Sequence, residues 1–494
     1  MGRTVLRQAL PAIGAGLLLT VVIAFLGALL GPTWQPRPYE SVMLPTSDTS
    51  IAPGHTLPSV GTYEWTTTET ELELAPGATV TVRVREPIGA GDGLPAVVFL
   101  HGAGTAVHTG FAAQAEALAS AGIVTVVPDK RMDTYTTAHR DYAASAADYH
   151  ASVVLARSLQ SVDPARVGVY GESEGAYIAP IVAAEDEDVA FVVLVSAPVV
   201  PPRQQAAYAV HTYLEATGVP EPIFRLIPRA LGAEFPLGVV DYVDFDPQPY
   251  QQRLSQPVLV VYGTGDNSMP QAQGAAQIIG DAAVAGNDAV TVRYYEGANH
   301  GIRLGTSEGP LAPGFAEDLA RWIGGLPETG EVEPRVAGAD PNQDIWAERP
   351  PAPPAFLSGN LMVASHLLPA LVLAIGLVTG AVAAIRSRML GRSWRTPSGG
   401  KAGAVHHPML TVYLGTAAVL ALTTWYVWIN YVIAIGALAT SYQQDPAVSF
   451  GGYAAENQVA TAASFTLGIA LFVWYLGARQ GRRFGRLARV AAVA

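Results

Sequence analysis

Four long apolar runs constrain this chain more than any other feature of its sequence. They span residues 9–31, 361–385, 410–439 and 459–477, and none of them contains Asp, Glu, Lys or Arg. A helix rises about 1.5 Å per residue, so roughly 20 apolar residues cross the hydrocarbon layer of a bilayer. The sequence therefore predicts four transmembrane helices, in a chain of 494 residues of which only 14% are charged.

The charges between these runs predict an orientation. Residues 1–8, 386–408 and 478–494 together carry 12 Lys and Arg and no acidic residue, whereas residues 32–358 carry 17 basic and 39 acidic residues. Basic segments next to membrane spans are retained on the cytoplasmic side. We therefore predict a multi-pass cell-membrane protein with a cytoplasmic N-terminus, a cytoplasmic loop at 386–408 and a cytoplasmic tail. The segments 32–358 and 440–458 then lie outside the cytoplasm.

The first run is expected to be an uncleaved signal anchor, because it is longer than the core of a signal peptide and lacks an Ala-x-Ala site at its end. The chain has no cysteine, which excludes thiolate catalysis and cysteine-ligated metals. Its acidic outer segment argues against a nucleic-acid partner. The expected partners are a lipid bilayer and a substrate; the oligomeric state stays open.

The outer segment alternates strand-like and helix-like stretches. Its central strands are continuous Val, Ile and Leu blocks, which is typical of a parallel sheet covered on both faces. We predict an α/β fold with a doubly wound, mostly parallel sheet over residues 61–325, with a helical lid insertion at about 198–257. A tether at 32–60 and a Pro/Gly-rich linker at 326–358 would connect it to the membrane. The predicted strands are 79–85, 96–100, 123–127, 167–170, 191–196, 258–262 and 290–295.

A nucleophile elbow follows the fourth of these strands. Gly171-Glu172-Ser173-Glu174-Gly175 is a G-x-S-x-G sequence between a strand and an Ala/Ile-rich helix. The setting is the one this motif requires, since a sharp turn there exposes the serine hydroxyl at the edge of the sheet. Gly171 and Gly175 would leave room for that turn, and Ser173 is the predicted nucleophile.

A second loop, His101-Gly102-Ala103-Gly104, directly follows the strand at 96–100. Small residues there let backbone N–H groups approach an oxyanion, so we expect the amides of Ala103 and Glu174 to form an oxyanion hole. We expect His101 to orient the loop rather than to react. The carboxylates of Glu172 and Glu174 are interpreted as exposed groups at the rim of a pocket.

Two further loops supply an acid and a base. Asp266 follows the strand at 258–262, and His300 follows the strand at 290–295. A catalytic imidazole needs a carboxylate to fix its tautomer, and the order Ser173, Asp266, His300 is the one expected of this fold. These residues predict a catalytic triad that performs acyl transfer with no metal or organic cofactor.

Residues 79–325 resemble the α/β-hydrolase superfamily, and among its members the bacterial dienelactone hydrolases and prolyl-oligopeptidase-like esterases and peptidases. The resemblance is carried by the 101–104 loop, by Asp129-Lys130-Arg131 after the next strand, and by Ser173-Glu174-Gly175. It implies that Ser173 is the nucleophile, His300 the general base and Asp266 its orienting carboxylate. Relatives usually have a glycine-rich turn after Asp-Lys-Arg, whereas this chain has residues 132–135, Met-Asp-Thr-Tyr.

Two alternatives to a hydrolase stay open. The same triad would serve an envelope acyltransferase, which differs only in the acceptor that attacks the acyl-enzyme. A hydrolase-like ectodomain could also bind without catalysing, as a sensor or accessory subunit does. Finally, residues 326–330 match the Leu-Pro-x-Thr-Gly sorting signal, but three apolar runs follow it, so we interpret it as a linker turn.

Overall fold

The computed structural model describes residues 32–354 except 41–44, 53, 55, 75–76, 105, 217–223 and 233–239, together with residues 371, 375, 378, 382, 385, 389 and 426. Apart from isolated positions, the four predicted transmembrane helices lie outside these residues. Within the described residues, no helix is both long enough and apolar enough to span a bilayer. The chain divides into one unit of residues 34–213 and 238–350, and another of 1–33, 214–237 and 351–494.

A nine-stranded sheet forms the centre of the first unit, counted over the described residues, in the order β1-β2-β4-β3-β5-β6-β7-β8-β9. β1 and β2 are antiparallel at one end, and β2 pairs antiparallel with β4. Every later pairing is parallel. The predicted α/β fold with a mostly parallel sheet is confirmed. The strands are β1 Trp65–Glu73, β2 Thr79–Pro87, β3 Leu94–Leu100, β4 Val124–Pro128, β5 Val162–Glu172, β6 Val192–Val195, β7 Val258–Gly263, β8 Val290–Tyr295 and β9 Val336–Gly338.

Helices cover both faces of this sheet, and two apolar clusters fill the spaces beneath them. In β3, Val98 and Leu100 belong to one cluster, whereas Val97 and Phe99 belong to the other. Successive side chains of a strand point to opposite faces, so a strand between two cores must be apolar throughout. The helices are α1 Ala112–Ser120, α2 Tyr142–Ser158, α3 Gly175–Glu185, α4 Pro202–Ala216, α5 Leu226–Leu231, α6 Gln248–Gln251, α7 Gln271–Val284 and α8 Phe315–Gly324, with a 3₁₀ helix at Glu328–Glu331.

The segments expected to be a tether and a linker are folded parts of this unit. Ile51 is fully buried, and Arg293 Nε donates a hydrogen bond to the Thr49 carbonyl at 2.8 Å. Beyond residue 325, β9 pairs with β8 and extends the sheet. The domain therefore exceeds the predicted bounds of 61–325. Pro and Gly suggested connectors, but the apolar residues between them fill positions in the core.

The edge strand β1 was not predicted from the sequence, because most of its residues are exposed. Its sequence is rich in Thr and Glu, and of its nine residues only Trp65 and Leu72 are partly buried. A polar edge strand lacks the apolar alternation by which strands are recognised. Its residues pair one by one with β2, so backbone hydrogen bonds rather than burial hold it in the sheet.

The Leu-Pro-x-Thr-Gly sequence lies in a packed turn. Thr329 is only 1% exposed, and its hydroxyl donates to the carbonyl of Trp322. Residues 328–331 form the 3₁₀ helix that follows α8. A sortase needs this peptide in an accessible, extended form, so the structure agrees with the interpretation of residues 326–330 as a turn.

The insertion after β6 contains helices where they were predicted. α4 is attached to the loop after β7, because Gln205 Nε2 donates to the Ser268 carbonyl and Thr212 Oγ1 donates to the Asn267 carbonyl. α5 belongs to the second unit. The role of this insertion as a lid stays a prediction.

Candidate active site

The proposed nucleophile lies on a strained turn between β5 and α3. Ser173 has a φ of 56°, in the left-handed region that side chains rarely adopt. A Cβ on Gly171 would lie 2.4 Å from the Gly175 carbonyl oxygen, and one on Gly175 would lie 2.2 Å from that of Leu100. Only glycine fits these two positions, and so the G-x-S-x-G pattern follows from the close approach of strand and helix.

An acid–base pair lies on the loops after β7 and β8. His300 Nδ1 is 2.8 Å from Asp266 Oδ2, and Asp266 is 3% exposed. The other carboxylate oxygen, Oδ1, accepts hydrogen bonds from the backbone N–H and the hydroxyl of Ser268, at 2.8 and 2.5 Å. The carboxylate is therefore held in one orientation, with Oδ2 directed at the imidazole.

This environment sets the charges of both groups. Burial alone would raise the pKa of the Asp266 carboxyl, but the charge and hydrogen bond of His300 and the hydrogen bonds of Ser268 lower that pKa below its usual value. Burial alone would lower the pKa of His300, but Asp266 and then the charge of Glu172 raise that pKa above its usual value. Asp266 is thus ionised at neutral pH, and His300 is a stronger base than a free histidine.

The elbow and the histidine loop adjoin at the carboxyl edge of the sheet. Ser173 N–H donates to the Val195 carbonyl at 2.9 Å, and the hydroxyl of the next residue, Ser196, donates to the His300 carbonyl at 2.7 Å. Glu172 Oε1 lies 4.0 Å from the position that a Cβ on Gly301 would take. The structure therefore brings the three predicted triad loops together at the edge where active sites of open α/β sheets form.

The predicted oxyanion loop lies against the nucleophile. A Cβ on Gly102 would be 3.2 Å from the Cβ of Ser173. His101 is buried, its Nε2 is 2.7 Å from the Pro128 carbonyl, and burial lowers its pKa to about 4. Its neutral ring stacks on Phe111 at 4.9 Å between centroids. The role of His101 in orienting the loop stays a prediction. Ala103, between Gly102 and Gly104, is exposed.

The carboxylates on either side of Ser173 are not rim groups as expected. Glu172 is half-buried and accepts a hydrogen bond from the Tyr170 hydroxyl at 3.1 Å. Burial raises the pKa of Glu172 although the charge of His300 opposes this. Glu174 is only 4% exposed. An ionised carboxyl at that depth needs cationic or hydrogen-bonding partners.

Three residues supply those partners of Glu174. Lys130 Nζ and the Tyr135 hydroxyl donate to Oε2 at 2.9 and 2.7 Å, and Arg140 Nη1 donates to Oε1 at 3.0 Å. Burial lowers the pKa of Lys130 although Glu174 opposes this, and burial raises the pKa of Tyr135. Glu174 is also the residue that precedes the first turn of α3, so its own N–H lies at a helix N-terminus.

Four residues of this site were not identified as functional from the sequence: Lys130, Tyr135, Arg140 and Ser268. Lys130 carried a signal, because it lies only two residues after a buried strand that ends in a proline, where a charged side chain commonly has a partner. Ser268 also carried one, since a serine two residues after an aspartate commonly binds its side chain. No local signal distinguishes Tyr135 or Arg140.

Residues 109–311 match the prolyl oligopeptidase family, which is less than half of the chain. No curated protein matches the sequence. Similar solved structures include an esterase of Pyrobaculum calidifontis, with 20% identity, a TM-score of 0.38 and coverage of 53% of this chain and 86% of that one. A dienelactone hydrolase of Anabaena variabilis has 16% identity, a TM-score of 0.35 and coverage of 53% and 96%.

A Bacteroides ovatus protein described as a dipeptidyl aminopeptidase IV has 17% identity and a TM-score of 0.38. The match covers 52% of this chain but only 35% of that longer protein. Within the described part of the chain, no group of three or more His, Asp or Glu side chains is placed to hold a metal ion. The family match, on a sheet with this elbow, identifies the chain as a serine hydrolase of the α/β type, an esterase or a peptidase.

Proposed function

We propose that this serine hydrolase cleaves carboxylic ester, amide or peptide bonds through an acyl-enzyme on Ser173. His300 acts as general base and Asp266 orients it. The observation that carries the proposal is the 2.8 Å bond between His300 Nδ1 and the buried Asp266 carboxylate, on a loop that adjoins the strained turn of Ser173. That bond leaves Nε2 as the ring nitrogen that can exchange a proton with the nucleophile.

The proposed reaction has two halves. Ser173 Oγ attacks the substrate carbonyl carbon while His300 Nε2 takes the hydroxyl proton. The carbonyl oxygen becomes an oxyanion that accepts hydrogen bonds from the Ala103 and Glu174 amides. His300 then gives its proton to the leaving alkoxide or amine. Water, deprotonated by His300, attacks the acyl-enzyme, and the proton returns to Ser173 as the acid leaves.

The second part of the proposal is that four helices anchor this enzyme in the cell membrane with its hydrolase unit outside the cytoplasm. The support is the placement of charge: the three segments expected inside carry 12 basic residues and no acid. The positions described within the second apolar run, Leu371, Ile375, Val378, Val382 and Ile385, are helical and exposed.

Labelling with a fluorophosphonate tests the catalytic part. The full-length protein in detergent should be labelled and should hydrolyse p-nitrophenyl esters or aminoacyl p-nitroanilides, and Ser173→Ala should abolish both signals. Equal labelling of the variant would remove Ser173 from the mechanism. Product analysis with added acceptor alcohols distinguishes hydrolysis from acyl transfer, because a transferase would form the new ester in place of the free acid.

Single cysteines test the topology, since the chain has none of its own. In intact cells, a membrane-impermeant maleimide should label Asp92→Cys, in an exposed loop of the hydrolase unit. It should label Ser398→Cys, in the basic loop at 386–408, only after the membrane is permeabilised. The reverse pattern would place the hydrolase unit in the cytoplasm.

A further inference from the structure

A buried group of side chains joins the elbow to the predicted oxyanion loop. We call Glu174, Lys130, Tyr135 and Arg140 the glutamate clamp. Lys130 Nζ donates both to Glu174 Oε2 and to the Gly102 carbonyl, each at 2.9 Å. The Tyr135 hydroxyl donates to Glu174 Oε2 at 2.7 Å and accepts the Gly104 N–H at 3.1 Å. The clamp thus holds the backbone on both sides of Ala103.

The contact with Gly102 fixes the direction of the Ala103 N–H. The Gly102 carbonyl and the Ala103 N–H belong to one peptide unit, which is planar and trans, so they point in opposite directions. Once Lys130 holds the carbonyl oxygen, the N–H has one orientation. A cation on the carbonyl also polarises the amide and strengthens its N–H as a donor, because hydrogen bonds in a chain reinforce one another.

The contact with Tyr135 occupies the next amide of the loop, the N–H of Gly104. Because the Gly104 N–H is bonded to the tyrosine hydroxyl, that amide is not free to bind an oxyanion, and the Ala103 N–H lies between two backbone groups that the clamp holds. Tyr135 is the last of the four residues that replace the glycine-rich turn of similar sequences. A glycine at that position could not make this bridge.

The clamp also carries an excess of positive charge. One carboxylate meets two cations, Lys130 at 2.9 Å and Arg140 at 3.0 Å. Lys130 Nζ lies 3.6 Å from the centre of the Tyr135 ring, and the Arg140 guanidinium lies 4.2 Å from that of Tyr242. Lys130 and Glu174 are 3% and 4% exposed, so water screens these charges little. A net positive charge beside the Gly102–Ala103 peptide favours a negative charge forming at its N–H.

We infer that Lys130 and Tyr135, held by Glu174, are positioning residues that orient and polarise the Ala103 N–H toward the tetrahedral oxyanion. The inference rests on the proposed acyl-transfer function. It extends that function to residues that touch neither the substrate nor the triad.

Two variants of the full-length protein test this inference. Tyr135→Phe removes one hydroxyl, and Lys130→Met removes the cation at similar volume. The matched control is Arg131→Met, because the neighbouring Arg131 pairs with Asp133 and Asp148 outside the clamp. Loss of a direct oxyanion donor costs about 10²–10³-fold in kcat. For these indirect changes we expect kcat for a p-nitrophenyl ester to fall by roughly 10–100-fold with KM within about threefold of wild type.

A trifluoromethyl ketone adds a readout that a purely structural role would not move. Its adduct with Ser173 carries an oxyanion, so its affinity should weaken by the same factor as kcat. The thermal midpoint and the affinity for the product acid should stay near wild type, and Arg131→Met should change neither kcat nor ketone affinity.

Unchanged kcat and ketone affinity in Tyr135→Phe, with active wild type, would overturn the inference, as would a change confined to KM. If Lys130→Met fails to fold, Tyr135→Phe decides alone, since it leaves all charges in place. Failure of the proposed function looks different: the wild-type protein itself would show neither labelling nor turnover.

Discussion

Replacing Asp266 with Asn tests the acid–base pair most directly, because the structure dictates how the new amide must lie. Ser268 donates two hydrogen bonds to the Oδ1 position, from its N–H at 2.8 Å and its hydroxyl at 2.5 Å. The amide oxygen of Asn would take that position, which directs the NH₂ group at His300 Nδ1. Nδ1 must then accept a hydrogen bond, and the imidazole proton moves to Nε2.

That tautomer cannot take a proton from Ser173. The carboxylate charge, which stabilises the imidazolium that forms during the reaction, is lost as well. With His300 Nδ1 and Asp266 Oδ2 2.8 Å apart, the charge centres are about 4 Å apart and interact by about 4 kcal/mol at an effective dielectric constant near 20. Since about 1.4 kcal/mol corresponds to a factor of ten in rate, losing this interaction alone should lower kcat about 10³-fold. With the tautomer change we expect kcat to fall by about 10³–10⁴-fold.

The assay is the steady-state kcat of the full-length protein on a p-nitrophenyl ester, together with the rate of fluorophosphonate labelling. Asp281→Asn is the matched control: Asp281 is also buried, and its Oδ1 accepts hydrogen bonds from Gln248 and Gln252, which an amide oxygen can equally accept. We expect its kcat within about threefold of wild type. A kcat for Asp266→Asn within tenfold of wild type, or an equal loss in the control, would refute the reasoning.

Three further predictions concern the pKa of His300, the space around the elbow glycines and the buried turn at Thr329. His300 must be neutral to act as a base, so activity should be lost as pH falls through its pKa, which lies above the usual 6.5. Glu172→Gln removes a charge that raises this pKa and should move the acid limb of the kcat/KM profile to lower pH; a limb that moved upward would contradict this. Gly175→Ala places a Cβ 2.2 Å from a β3 carbonyl and should lower the free energy of unfolding by about 1–3 kcal/mol. Gly280→Ala, in an open helical position, should raise it by about 0.5–1 kcal/mol, so equal thermal shifts would count against the packing argument. Because Thr329 is 1% exposed, sortase should leave the folded protein intact and cleave it only after denaturation, as followed by mass spectrometry.

The strand positions and the loops of the site could be read from the sequence because local rules decide them. β3 and β7 are buried on both faces, so each of their residues is buried. In the sequence such a strand is recognised as an unbroken block of apolar residues. At Gly171 and Gly175 the neighbouring backbone leaves no room for a Cβ, so only glycine fits there. Since the carboxyl ends of parallel strands meet at one edge of the sheet, knowing which residues follow them was enough to predict that the loops of Ser173, Asp266 and His300 lie at the same edge.

The charged groups behind the elbow could be assigned only from the tertiary structure. From the sequence alone, the Glu174 carboxylate is expected to be exposed, because an ionised side chain is rarely buried without partners. Its partners Arg140, Tyr135 and Lys130 lie 34, 39 and 44 positions away along the chain, and no local pattern shows that these side chains meet. The sequence by itself thus determined which backbone segments build the site. The packing of distant loops decided which side chains are buried there, because the cost of burying a charge depends on partners that only the folded chain brings near.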